Sequence, residues 1–150
     1  MKLLVGSLCL LLAISACDSA SGPPLEISKV KVYAPLPGTR TSVAYMTIRN
    51  NSASAIRIGS IESPQFDSVM LHETRIEDGV ARMRMLDGLE IPARSEVFLV
   101  DGGLHLMLDQ PAASVAEGEP ATLQFAYDGN GLVIVSTTIL SRFADERTNR

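Results

Sequence analysis

Two histidines and four methionines dominate the chemistry available to this 150-residue chain. Beyond its first sixteen residues it has only His72 and His105, with Met46, Met70, Met83, Met85 and Met107. Four of those methionines crowd the histidines: Met70, Met83 and Met85 around His72, and Met107 two residues after His105. On a strand, residues two apart share a face. His105 and Met107 therefore point one way, while Leu104, Leu106 and Leu108 point the other, into a core. That leaves the histidine and methionine displayed on the non-core side. A hairpin turning between Glu77 and Asp78 sets His72 directly across from Met83, with Met70 and Met85 on the same side. The resulting set is two imidazoles and two thioethers: His72, Met83, His105 and Met107. Met85 and Met70 are auxiliary candidates.

Thioether sulfur is a soft, neutral donor suited to Cu(I), and imidazole suits copper as well as zinc. Structural zinc favours thiolates, and catalytic zinc takes three His or carboxylate ligands plus water. A blue-copper electron-transfer site needs a cysteine thiolate. The only cysteines are Cys9 and Cys17, both far from the cluster in sequence. The donor set thus points to Cu(I) held without thiolate, and releasable to a thiolate-bearing acceptor. Two other readings stand beside it. One is an Ig-like extracytoplasmic binding or assembly module, with the methionines as core filler. The other is a metal-dependent hydrolase that recruits Glu73 or Asp101.

The elements that must position these residues are short strands. Residues 25–33, 41–49, 55–61, 66–76, 80–86, 96–100, 104–108, 121–127 and 132–140 read as strands. Turn signals such as Asn50-Asn51-Ser52, Asp78-Gly79, Asp87-Gly88 and Asp128-Gly129 separate them. A Pro- and Ala-containing loop covers about 110–119. About nine strands with no amphipathic helix predict an all-β Greek-key barrel or sandwich, with one domain over residues 25–141 and a charged tail over 142–150.

The N-terminus reads differently. Lys2 precedes an apolar run from Leu3 to Ile14, too short to span a bilayer comfortably and flanked like a signal peptide. Ile14-Ser15-Ala16-Cys17 resembles a bacterial lipobox, which implies cleavage before Cys17, acylation of its sulfur, and a tether over 17–24. Asp18 favours retention at the inner membrane. Losing residues 1–16 removes one lysine and no acid, leaving 12 basic against 17 acidic residues. That mild acidity, without a basic cluster, argues against nucleic acid as a partner. With Cys9 removed and Cys17 lipidated, no disulfide is available and the fold must rest on its core.

At the histidines the chain is similar to the PCuAC family of periplasmic copper chaperones. That family's motif is His, ten residues, Met, twenty-one residues, His-x-Met. His72, Met83 and His105-Leu106-Met107 reproduce the spacing at all four positions. Gly79 to Met85, Gly88 to Ala93, Gly103 to Met107 and Ala44 to Asn50 look like the family's flanking segments, so the resemblance covers about residues 27–140. It implies a cupredoxin-like barrel binding one Cu(I) and no enzymatic turnover. It also implies delivery to the binuclear copper centre of cytochrome oxidase, through its copper subunit or a Sco-type thiol protein; copper storage or resistance is the alternative role. Many members have methionine where this chain has Glu73. Residues 141–150 contain no His or Met, so a second, Cu(II)-type tail site is not expected.

Overall fold

In the computed structural model, residues 22–111 and 115–142 are described. Ten strands account for about two-thirds of them: β1 Leu25–Tyr33, β2 Thr41–Asn50, β3 Ile56–Glu62, β4 Phe66–Glu77, β5 Val80–Leu86, β6 Leu89–Ile91, β7 Glu96–Leu99, β8 Leu104–Pro111, β9 Pro120–Tyr127 and β10 Gly131–Leu140. The all-β expectation holds. The strand missing from the sequence reading is β6. Its three residues are too few to show a period, and Pro92 directly after them reads as a breaker. The lipobox, Cys17 and the tail beyond Arg142 lie outside the described residues. Among the described residues no helix is long and apolar enough to cross a membrane.

The strands follow the order β5-β4-β8-β2-β1-β10-β9-β3-β6, with β7 also paired to β2. Pairing is antiparallel except where β1 meets β10, through Val32↔Ile139 and Tyr33↔Leu140. This narrow parallel seam joins two sheets. One contains β5, β4, β8, β2, β7 and β1, and the other β10, β9, β3 and β6. Their inner faces share one core. Val32, Ala44, Ile48, Leu71, Leu106 and Leu108 come from the first sheet; Ile58, Ile91, Leu123, Phe125 and Ile139 come from the second. Burying such side chains contributes roughly 1.5–3 kcal/mol each, so the fold needs no cross-link.

The most deeply buried polar side chain among the described residues braces the two sheets. Asn50 is fully enclosed. Its amide donates to the carbonyls of Ser54, Ile91 and Pro92, and its carbonyl accepts from the Ser52 N–H and hydroxyl. It ties the turn after β2 to the end of β6. A turn-forming residue in sequence is thus a buried bracket between the sheets.

The β4–β5 hairpin corrects one expectation. The turn residues are Asp78 and Gly79, both left-handed at φ 53° and 77°, with Glu77 pairing Val80. Two successive positive φ values make the type I′ turn that matches strand twist, and Asp-Gly is a favoured sequence for it. The turn is centred one residue later than between Glu77 and Asp78, which moves the pairing by two. His72 lies across from Met85, and Met83 lies across from Thr74.

Candidate metal centre

Directly paired residues of neighbouring strands share a face, so the register lays the site out as a grid on the first sheet. His72 pairs Met85 on one side and His105 on the other. Met70 pairs Met107, and Thr74 pairs Met83. One row across β5, β4 and β8 is therefore Met85–His72–His105. Met70 and Met107 lie in the row below, and Thr74 and Met83 in the row above. All six candidate ligands sit on one face, opposite the one that sends Leu71, Leu106 and Leu108 into the core. Met83 is the diagonal, not the direct, neighbour of His72. Diagonal neighbours are about 7–8 Å apart, still within reach of a long side chain.

The two histidines differ in setting. His105 is only 6% exposed, so it is not displayed as strand parity alone implied. The side chains beside it on this face, together with the Asp101–Gly103 turn, close over it. Its Nδ1 lies 3.0 Å from the carbonyl of Gly103. Donation from Nδ1–H to that oxygen fixes the ring and its tautomer, leaving Nε2 as the free nitrogen; metal-ligating histidines use this arrangement. The same carbonyl accepts the backbone N–H of Thr74 at 3.1 Å, so one oxygen locks β4 and the His105 ring together. Gly102, at φ 72°, lets the chain turn tightly enough to present it.

His72 is half-buried, and its buried Nδ1 has no hydrogen-bond partner. Burial holds its pKa below the ordinary imidazole value, the neighbouring His105 adds to this, and the charge of Asp109 opposes it. Burial and His105 both favour the neutral imidazole, the form that binds a metal. The ring centroids are 5.9 Å apart with planes inclined by 39°. Metal–nitrogen bonds of about 2 Å put an ion about 3 Å from each ring centre, so two rings sharing one ion sit within about 6 Å. The observed separation meets that limit.

The thioethers lie further out. Met107 is half-buried, whereas Met83 is 56% and Met85 59% exposed. Both belong to β5, which ends the strand order. Met83, His105 and Met107 line a cavity of about 270 Å³ together with Thr41, Val43, Tyr45, Thr74 and Asp101. Tyr45 and Thr74 were missed in the sequence. Thr74 was findable, being two residues beyond His72 on its face; Tyr45 depends on which strand β2 joins. The Tyr45 hydroxyl donates to Asp101 at 3.1 Å. Burial first, and then Asp101, push the Tyr45 pKa up to about 12.

The acids that a hydrolase would recruit are otherwise engaged. Glu73 sits on the opposite face, holding Arg75 at 2.9 Å and Arg84 at 2.6 Å. Those two hydrogen bonds draw its pKa below the usual carboxylate value. Asp101 accepts the Tyr45 hydroxyl. Among the described residues no three His, Cys, Asp or Glu side chains gather in a metal-holding group. What does gather is neutral nitrogen and thioether sulfur, a soft set suited to a monovalent soft ion.

Comparison with known proteins follows the same lines. The family model described as "Putative lipoprotein LpqE-like" matches residues 25–139. "Putative lipoprotein Lxx21020" from Leifsonia xyli subsp. xyli is 34% identical over 110 residues, covering 71% of this chain. The match spans 64% of that relative's length. Among solved structures, the Cu(I) form of DR1885 from Deinococcus radiodurans is 28% identical, with a TM-score of 0.67 over 83% of this chain and 84% of its own. The copper-bound PCuAC domain from PmoF2 superposes with a TM-score of 0.65 at 22% identity, over 79% of this chain and 94% of its own. From the strand order to the matched residues, the chain belongs to the LpqE-like lipoprotein family and is built on the PCuAC-domain fold.

Proposed function

We propose that this protein is an extracytoplasmic, lipid-anchored Cu(I) carrier that binds one ion through His72, Met83, His105 and Met107. The observation that carries the reading is the sheet-face grid, which puts both imidazoles in one row with thioethers in the rows above and below. The Cu(I) form of DR1885 and the copper-bound PmoF2 domain share this fold, which supports the same cargo here.

The layout suits carriage better than catalysis. His105 is pre-oriented by Gly103 and buried, so it supplies a fixed anchor. Met83 is exposed on an edge strand, so an incoming thiolate can displace it without opening the core. Stepwise ligand exchange passes the ion on without a change of oxidation state and without turnover of substrate. The acceptor we propose is the binuclear copper centre of cytochrome oxidase, reached through its copper subunit or a Sco-type thiol protein. Acylated Cys17 keeps the domain at the membrane, with Asp18 favouring the inner one.

Titration with Cu(I) under reducing conditions tests the reading. Binding saturates near one equivalent and Cu(I) displaces Zn(II). His105→Ala or Met107→Ala weakens binding by about a hundredfold, roughly 3 kcal/mol. Unchanged affinity in both variants refutes the assignment.

A further inference from the structure

We infer that Met85 is a second thioether for the metal, interchangeable with Met83, so that β5 offers copper two holding positions, one in the histidine row and one in the row above it. This rests on the Cu(I) reading above and extends it.

The register is the first ground. Met85, not Met83, lies directly across from His72, at the cross-strand separation of about 4.5–5.5 Å between Cβ atoms. Two thioethers two residues apart thus flank one imidazole, on the face that also carries His105. Exposure is the second. Met85 is 59% exposed, so it fills no gap in the core, the usual reason for a methionine.

The opposite face of β5 holds this register. Arg84 is bound to Glu73 at 2.6 Å and Arg82 to Glu77 at 3.3 Å. Strand alternation then puts Met83 and Met85 on the histidine side.

Two openings adjoin the row. Met83, His105 and Met107 line the cavity of about 270 Å³. Met85 and Met70 line a separate groove of about 550 Å³, running past Phe66 and Leu89. His72 lies across from Met85 and diagonal to Met83, with its buried Nδ1 unpartnered. Copper moving from one opening to the other exchanges one Cu–S bond for another: the bond to Met83 breaks as that to Met85 forms. Charge and electron count stay constant throughout, and His72 remains bound. Met85 thereby gives the ion a second way out, over the groove.

The test uses the full chain loaded with one equivalent of Cu(I), comparing wild type, Met83→Leu, Met85→Leu and the double variant. Both positions are exposed, so leucine leaves the core untouched. The readouts are affinity by competition with a Cu(I) chelator and the number of sulfur neighbours by X-ray absorption. Interchangeable ligands predict that Met83→Leu still shows two sulfurs. They also predict that the double variant shows one and loses at least about tenfold more affinity than the product of the single losses. If Met83→Leu already shows one sulfur, and adding Met85→Leu changes nothing, Met85 is only an exposed apolar residue and the inference fails while wild-type binding stands. A wild type that binds no Cu(I) removes both readings together.

Discussion

Replacing Gly79 tests whether the hairpin turn places the metal ligands. Gly79 sits at φ 77°, where a side chain is strained, and a Cβ built there meets nothing within 4 Å. Gly79→Val therefore costs backbone strain alone, about 1–2 kcal/mol for a left-handed L-residue. In a domain of this size that lowers Tm by about 4–10 °C. Gly79→Asn costs less, because Asn tolerates this conformation. The metal consequence is bounded by the same strain. If Cu(I) binding requires β5 docked beside β4, the valine variant can lose at most about thirtyfold in affinity. The assays are thermal unfolding of the metal-free protein and chelator competition for Cu(I). Equal Tm values for the Val and Asn variants would mean that the left-handed turn does not set the cost. Wild-type affinity in a destabilised valine variant would mean that the turn does not limit how β5 places its ligand.

Three further outcomes are expected. Asn50→Leu strands buried partners on Ser52, Ile91 and Pro92, so denaturant unfolding shows a loss of about 2–4 kcal/mol; a change below half a kcal/mol would refute the bracket role. His72 has its folded pKa depressed, chiefly by burial, so the unfolded chain takes up a proton that the fold refuses. The metal-free protein therefore keeps this contribution above the ordinary imidazole value near 6.5 and loses it as pH falls through the lower folded value. His72→Asn flattens that part of the stability–pH profile, and an unchanged slope would contradict it. Tyr45 has its folded pKa raised to about 12, so its contribution is complete below the ordinary value near 10 and disappears as pH rises from there through the folded value. Tyr45→Phe abolishes that alkaline decline, as followed by circular dichroism; the same decline in the variant would exclude Tyr45 as its source.

The primary structure determined the donor chemistry by itself. Two histidines, a cluster of methionines and no cysteine beyond Cys17 define a soft neutral set whatever the fold. Strand parity also placed His105 with Met107 and His72 with Met70, because a period of two is local to each strand. It could not decide which residues face each other across strands. That depends on the turn, and one residue's difference at Asp78-Gly79 exchanges Met83 for Met85 opposite His72. Nor could it show that β8 lies between β4 and β2, the arrangement that brings His105 beside His72 from 33 residues away in sequence. The Gly103 carbonyl that fixes the His105 ring, and the burial of that ring, exist only once three strands and a glycine turn have met. Ligand identity is a property of side chains, while ligand geometry is a property of register and burial, which non-local pairing alone sets.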